Sequence, residues 1–173
     1  MKKQIALLAL VGSLTCSTMA ADDWFLRFGA VNVSPNSDSG PVLGNDGVQV
    51  GGDTQFGFNL TYMLDDTWGI ELLGANIFEH EITGTGSLAG AAIGVTEHLP
   101  PTISAVYNMK SNDTHYHVGV GLNYTKFFSD YPNEDAQALG VSNLELDAST
   151  GLALKAGFDT PISENWYFSG AVY

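Results

Sequence analysis

Side chains that could do chemistry are sparse in this sequence. Of the four histidines, His115 and His117 stand two positions apart, so in a strand both project to one face, within reach of one metal ion. The sequence fixes no third ligand for them, and a polar pair near a turn is the simpler reading. His80 between Glu79 and Glu81, and His98 beside Glu97, are the remaining places where an imidazole neighbours a carboxylate. Neither falls in the Ser/His/acid or Asp/His pattern that lipases, acyltransferases or proteases require. The glycine-rich stretch 84–94 lacks the Gly-Lys-Ser/Thr of a phosphate loop. The reading is therefore of a chain with no catalytic residue, no cofactor and no metal site.

What positions these residues is clearest at 115–128. The even positions Tyr116, Val118, Val120, Leu122 and Tyr124 are apolar, and the odd positions His115, His117, Gly119, Gly121, Asn123 and Thr125 are small or polar. This period of two predicts a strand with one greasy face. Its apolar run, bracketed by aromatic rings, has the length of a strand that crosses a bilayer at a tilt.

Residues 1–20 read as an export signal. Lys2 and Lys3 form the charged start, 5–11 the apolar segment, and Thr18-Met19-Ala20 the small-residue cleavage site. Cys16 is expected to leave with the signal, because Thr15 precedes it where lipoprotein anchoring calls for a smaller residue. The remaining domain, 21–173, then holds Arg27, Lys110, Lys126 and Lys155 against nineteen acidic residues, a net charge of −15. Such a balance excludes nucleic-acid binding, which needs a basic face. No apolar run after residue 20 is long enough to span a membrane as a helix, but a barrel shows only weak, alternating signals.

Alternation recurs along the chain at 24–34, 54–64, 68–82, 101–109, 115–128, 148–158 and 166–173. Long polar or glycine-rich stretches at 35–52, 83–98 and 129–147 alternate with short turns at 65–67, 110–114 and 159–165. Within the third long stretch, Asn133 to Gly140 could cap two turns of helix. Trp24, Trp68, Tyr116 and Trp166 all stand at strand ends beside the short turns, as one aromatic girdle. Long external loops, short periplasmic turns and a girdle describe an all-β, eight-stranded antiparallel transmembrane β-barrel. Seven strands cannot close in the even-numbered way, and an open edge in lipid leaves backbone groups unpaired. The expectation is thus a C-terminally truncated barrel with seven strands present.

The residues also resemble a known family. Gly69-Ile70-Glu71-Leu72-Leu73, His98-Leu99-Pro100-Pro101-Thr102 and Gly119-Val120-Gly121-Leu122-Asn123-Tyr124-Thr125 with Phe127-Phe128 are similar to the outer membrane protein W (OmpW) family of Gram-negative bacteria. The resemblance covers 24–173, and the His-Leu-Pro-Pro-Thr run is its most specific part. It implies an eight-stranded outer-membrane barrel with a narrow apolar interior, thought to pass small hydrophobic compounds. Such a protein's partners are outer-membrane lipid and lipopolysaccharide, small hydrophobic solutes, and a phage or bacteriocin at the external loops. Lys126, facing outward at the outer end of its strand, is placed to meet lipid phosphates.

A barrel of this size has room inside for little but its own side chains. Inward parity assigns Arg27, Glu71 and Lys155 to the interior near the short turns, where unpaired charges would be costly; they should form an ion-pair floor that also acts as a plug. Above it, Leu73, Ala75, Ile77, Met63, Val106 and Tyr173 are expected to line the channel or to pack a solid core, with Leu73 and Tyr173 as its constriction. Pro100 and Pro101 cannot donate to a ladder, which weakens the wall beside them and marks a candidate lateral opening into the bilayer.

Overall fold

The structure, a computed structural model, describes residues 12–21, 23–35, 47–132, 137 and 146–173. Eight strands close into an antiparallel barrel: β1 (Gly12–Ala21), β2 (Trp24–Val33), β4 (Asp53–Met63), β5 (Trp68–Ala75), β8 (Thr102–Ser111), β9 (Thr114–Pro132), β10 (Ser149–Ser163) and β11 (Trp166–Val172). Closure is made by β9 against β10. Three further strands, β3 (Val48–Val50), β6 (Phe78–Gly84) and β7 (Ala92–Leu99), add a sheet beyond the rim by pairing through β7 onto the far end of β9.

Alternation decides which face meets what. Phe56, Ile70, Ile103, Val120, Leu122, Leu152 and Leu154 are exposed around the outside, Leu152 at 72%. A water-soluble surface would not present such a continuous apolar belt, whereas a lipid-facing one must. The girdle stands as expected: Trp24 lies 4.8 Å from Tyr62 and Trp68 lies 5.0 Å from Tyr107, ring centre to ring centre, each across a strand pair. In the turn between β4 and β5, Asp65 Oδ1 accepts the backbone N–H groups of Trp68 and Thr67, which holds its carboxyl below the usual range. Asn112 carries the β8–β9 turn at φ 54°, a conformation asparagine tolerates.

Three expectations about the strands are corrected. The third predicted strand breaks at Asn76 and Ile77 into β5 and β6, and the stretch 83–98 is mostly β6 and β7 rather than loop. β10 runs on to Ser163, through residues read as a turn. Separately, Gly12–Ala21, which overlaps the stretch 1–20 read as a signal, pairs with β2 and β11 at the place where the sequence predicted a missing strand. The helix expected at Asn133 to Gly140 lies outside the described residues apart from Gln137, which is helical.

Glycine on the inner face is a spatial requirement. A Cβ on Gly121 would run into the Ile103 carbonyl and Ser104, and one on Gly157 would meet the His117 ring. Strands and rings approach there because nothing projects.

Candidate functional site

The barrel interior is closed near the short turns by a polar layer drawn from five strands. Arg27 on β2 donates through Nε and Nη2 to both oxygens of Asp159 on β10, at 2.9 and 2.7 Å. Its Nη1 donates to Thr61 Oγ1 at 2.8 Å and to Glu71 Oε2 at 3.3 Å. The Thr61 hydroxyl donates its own hydrogen bond to the same Glu71 oxygen. Lys155 Nζ donates to both Glu71 oxygens, and Ser169 on β11 donates to Asp159. Tyr173 caps the layer from above, its hydroxyl donating to Glu71 at 2.9 Å while its ring lies 5.4 Å from Lys155 Nζ. Two cations and two carboxylates balance in charge, and all four residues are 4% exposed or less. Satisfied donors on every side are what allow charges to stay buried.

The structure therefore brings Arg27, Glu71 and Lys155 together, as the inward parity predicted. Asp159 was missed because Asp-Thr-Pro reads as a turn; its phase with Lys155 and Gly157, four and two positions earlier, was the available signal. His117, buried at 1%, places Nε2 3.6 Å from Asp159, whereas His115 faces a cavity below the floor. The two histidines do not converge, and no cluster of three or more metal-ligating side chains occurs among the described residues.

The expected lining residues separate. Leu73 is buried directly above the floor, and Tyr173 closes it. Val106 is inward but level with Lys155, its partner Gly119 lying between them in the ladder. Met63 lines the cavity of about 250 Å³ beneath the floor, with Asp23, Asp65 and Asp66, because β4 descends toward the short turn. Ile77 is not inward at all: it is 46% exposed. The break at Asn76 and Ile77 shifts the alternation by one, so beyond it the even positions Phe78, His80 and Ile82 are the buried set. Phe78 joins Val31 and Val33 in an apolar cluster against which Ala75 and Tyr173 pack, so an apolar wall runs from the floor to the rim.

Around Pro100 and Pro101 the wall is asymmetric. On one side Asn123 Nδ2 donates to the Pro100 carbonyl at 3.1 Å and to Thr102 Oγ1 at 2.9 Å, and the Tyr124 N–H meets the Pro101 carbonyl at 3.0 Å. On the other side the ladder stops at Leu73 opposite Thr102 and resumes at Phe78 opposite His98. Between those pairs the described residues form no ladder, while on the other flank of β5 the pairing with β4 continues through Ala75 and Asn76. The opening in the ladder lies against β5 and β6, not β9.

Outside this gap sits a ring cluster that sequence reasoning did not collect. His80 and His98 lie 4.8 Å apart at 14°, with Phe78 5.6 Å and Phe127 5.7 Å from His98. Burial, together with the neighbouring His80, lowers the His98 imidazole to about 4; burial also lowers His80, against the pull of its bond to the Gly51 carbonyl. The alternation Phe78, His80, Ile82 against Glu79 and Glu81 was the readable signal.

An eight-stranded barrel with an apolar exterior, an aromatic girdle and a closed polar floor is an outer-membrane β-barrel. Residues 20–173 match the OmpW family. Outer membrane protein W of Vibrio cholerae serotype O1 is 37% identical over the whole of this chain and 83% of that protein. The solution structure of Escherichia coli outer membrane protein W aligns at a TM-score of 0.58 with 36% identity, covering 90% of this chain and 82% of that one. The crystal structure of the outer membrane protein OprG from Pseudomonas aeruginosa shares the fold, at a TM-score of 0.65 over 95% of this chain and 88% of that one, with 24% identity. The chain belongs to the OmpW family, and it is an outer-membrane protein.

Proposed function

We propose that this barrel passes small hydrophobic molecules, which enter from the external face and leave sideways into the bilayer rather than through the floor. The supporting observation is the gap between Leu73–Thr102 and Phe78–His98 standing directly above a sealed polar layer. A solute descending the apolar wall meets Tyr173 and Glu71, where desolvated charges offer it nothing, and finds beside it a stretch of wall in which the described residues form no ladder. Leu73 forms the lower sill of that opening and Ile77, on the lipid side, its lip. No catalytic step is assigned. Cysteines placed at Ile77 and Leu99 and bridged by a short bis-thiol reagent should abolish uptake of apolar solutes into liposomes, and reduction should restore it. Undiminished uptake after bridging sinks the lateral route, and absence of flux of any solute leaves a structural or receptor barrel.

Residues 1–20 are proposed as an export signal removed after Ala20. Mass spectrometry of the chain recovered from outer membranes should then show Ala21 as its first residue. A chain so processed lacks β1, and the place between β2 and β11 must be taken by another strand.

A further inference from the structure

Phe78 and His98 form the first ladder pair above the gap, so a molecule using it passes both. His98 is 2% exposed, yet neither ring nitrogen has a hydrogen-bond partner. The neighbouring His80 is equally buried, and its Nδ1 lies 2.6 Å from the Gly51 carbonyl oxygen. A carbonyl can only accept, so Nδ1 carries the proton and Nε2 is left as a lone pair. That lone pair also has no partner. Buried polar groups are almost always hydrogen-bonded, and an orphaned set calls for an explanation. Here it stands among the flat faces of Phe78 and Phe127, at the end of the apolar wall.

We propose that Phe78, His80, His98 and Phe127 form a recognition site for aromatic molecules carrying a hydroxyl group, the phenol class. The ligand ring lies against the two phenylalanines, and its hydroxyl donates to an imidazole lone pair. His80 needs a donor, because its tautomer is fixed by Gly51, and His98 offers one N–H and one lone pair, so a hydroxyl, which both donates and accepts, fits the set. A hydrocarbon of the same size leaves the imidazoles unpartnered, and a site built for hydrogen bonding discriminates against it. The position of this site on an exit path rests on the transport reading above; the binding does not.

The probes are 2-naphthol and naphthalene, offered to the folded full chain in lipid vesicles with protein-free vesicles as the partition control. The expected result is 2-naphthol binding about tenfold tighter than naphthalene, with shifted imidazole Cε1–H resonances. His98→Phe, which keeps a ring in the stack, should erase that preference and leave naphthalene binding unchanged; an unfolding midpoint no lower than that of the unaltered chain verifies the fold, and His80→Phe is the second variant. Equal binding of both probes, binding of neither, or a preference indifferent to both substitutions overturns the site. Vesicle uptake is read separately: binding that depends on His98 without flux of either probe retains the site and removes transport, whereas flux indifferent to His98 with no preference retains transport and removes the site.

Discussion

The two polar regions of this barrel, the floor and the histidine cluster at the rim, are buried to the same degree and built on opposite terms. In the floor, Arg27, Lys155, Glu71 and Asp159 use almost every donor and acceptor they have, with Thr61, Ser169 and Tyr173 supplying the remainder, and His117 at its edge is the exception, with no hydrogen-bond partner at either ring nitrogen. At the rim, three ring nitrogens of His80 and His98 meet nothing. A closed network specifies one arrangement and shuts a passage. An incomplete one is held in place by the hydrophobic rings around it and stays available to a visitor.

Substitutions can break that contrast from either side. Glu71→Ala leaves Lys155 and Arg27 facing one carboxylate, and should lower unfolding stability by roughly 3–5 kcal/mol, read from the midpoint of urea unfolding in micelles. The same variant should admit small ions in planar bilayers where the unaltered chain does not. A loss under about 1 kcal/mol would mean that the floor is not the closed network described here. Acid should act next, and on the rim. His98 is held at about 4 in the folded chain, against an ordinary value of about 6.5, so the unfolded chain binds more protons between those limits. Stability of the rim sheet should therefore be complete above pH 6.5 and fall by roughly 2 kcal/mol as pH drops toward 4. Amide protection of β6 and β7, corrected for intrinsic exchange at each pH, measures this.

Asp159→Asn retains the shape of the floor but weakens the Arg27 fork, and should cost about 1–2 kcal/mol in the same unfolding measurement. The smallest effect carries the opposite sign. His98→Phe removes an unpartnered buried group while keeping its ring, and should stabilise the chain by about 1 kcal/mol. A loss instead would show that the His98 nitrogens are already satisfied.

Much of this molecule was legible because a membrane barrel repeats one simple rule. Period-two patterning placed Arg27, Glu71 and Lys155 on a common inner face, and the bulky even positions of 116–124 outside. What escaped depended on phase rather than composition. The break at Asn76 and Ile77 inverts the alternation, so Ile77, assigned to the channel, is exposed, and Phe78 and His80, assigned nowhere, are buried. Met63 was given the right face and the wrong height, since parity carries no information about depth. Asp159 was hidden by the proline two residues later, which β10 tolerates where it turns toward its end. The rim sheet could not be foreseen from length alone, because glycine and alanine in 83–98 look like loop until a partner strand is known.

β9 is 19 residues long, roughly 60 Å at the rise of an extended strand, and borders β8 along its lower part, β7 along its upper part and β10 on its other flank. His117 at the floor and Phe127 at the rim are both carried on it. A pull applied to the external end of this molecule, by a particle or a needle tip, loads those ladders in shear along a single rod, so that many hydrogen bonds resist together instead of unzipping one at a time. The rim sheet should detach from β9 before the barrel wall yields, which makes the outermost structure its mechanical fuse.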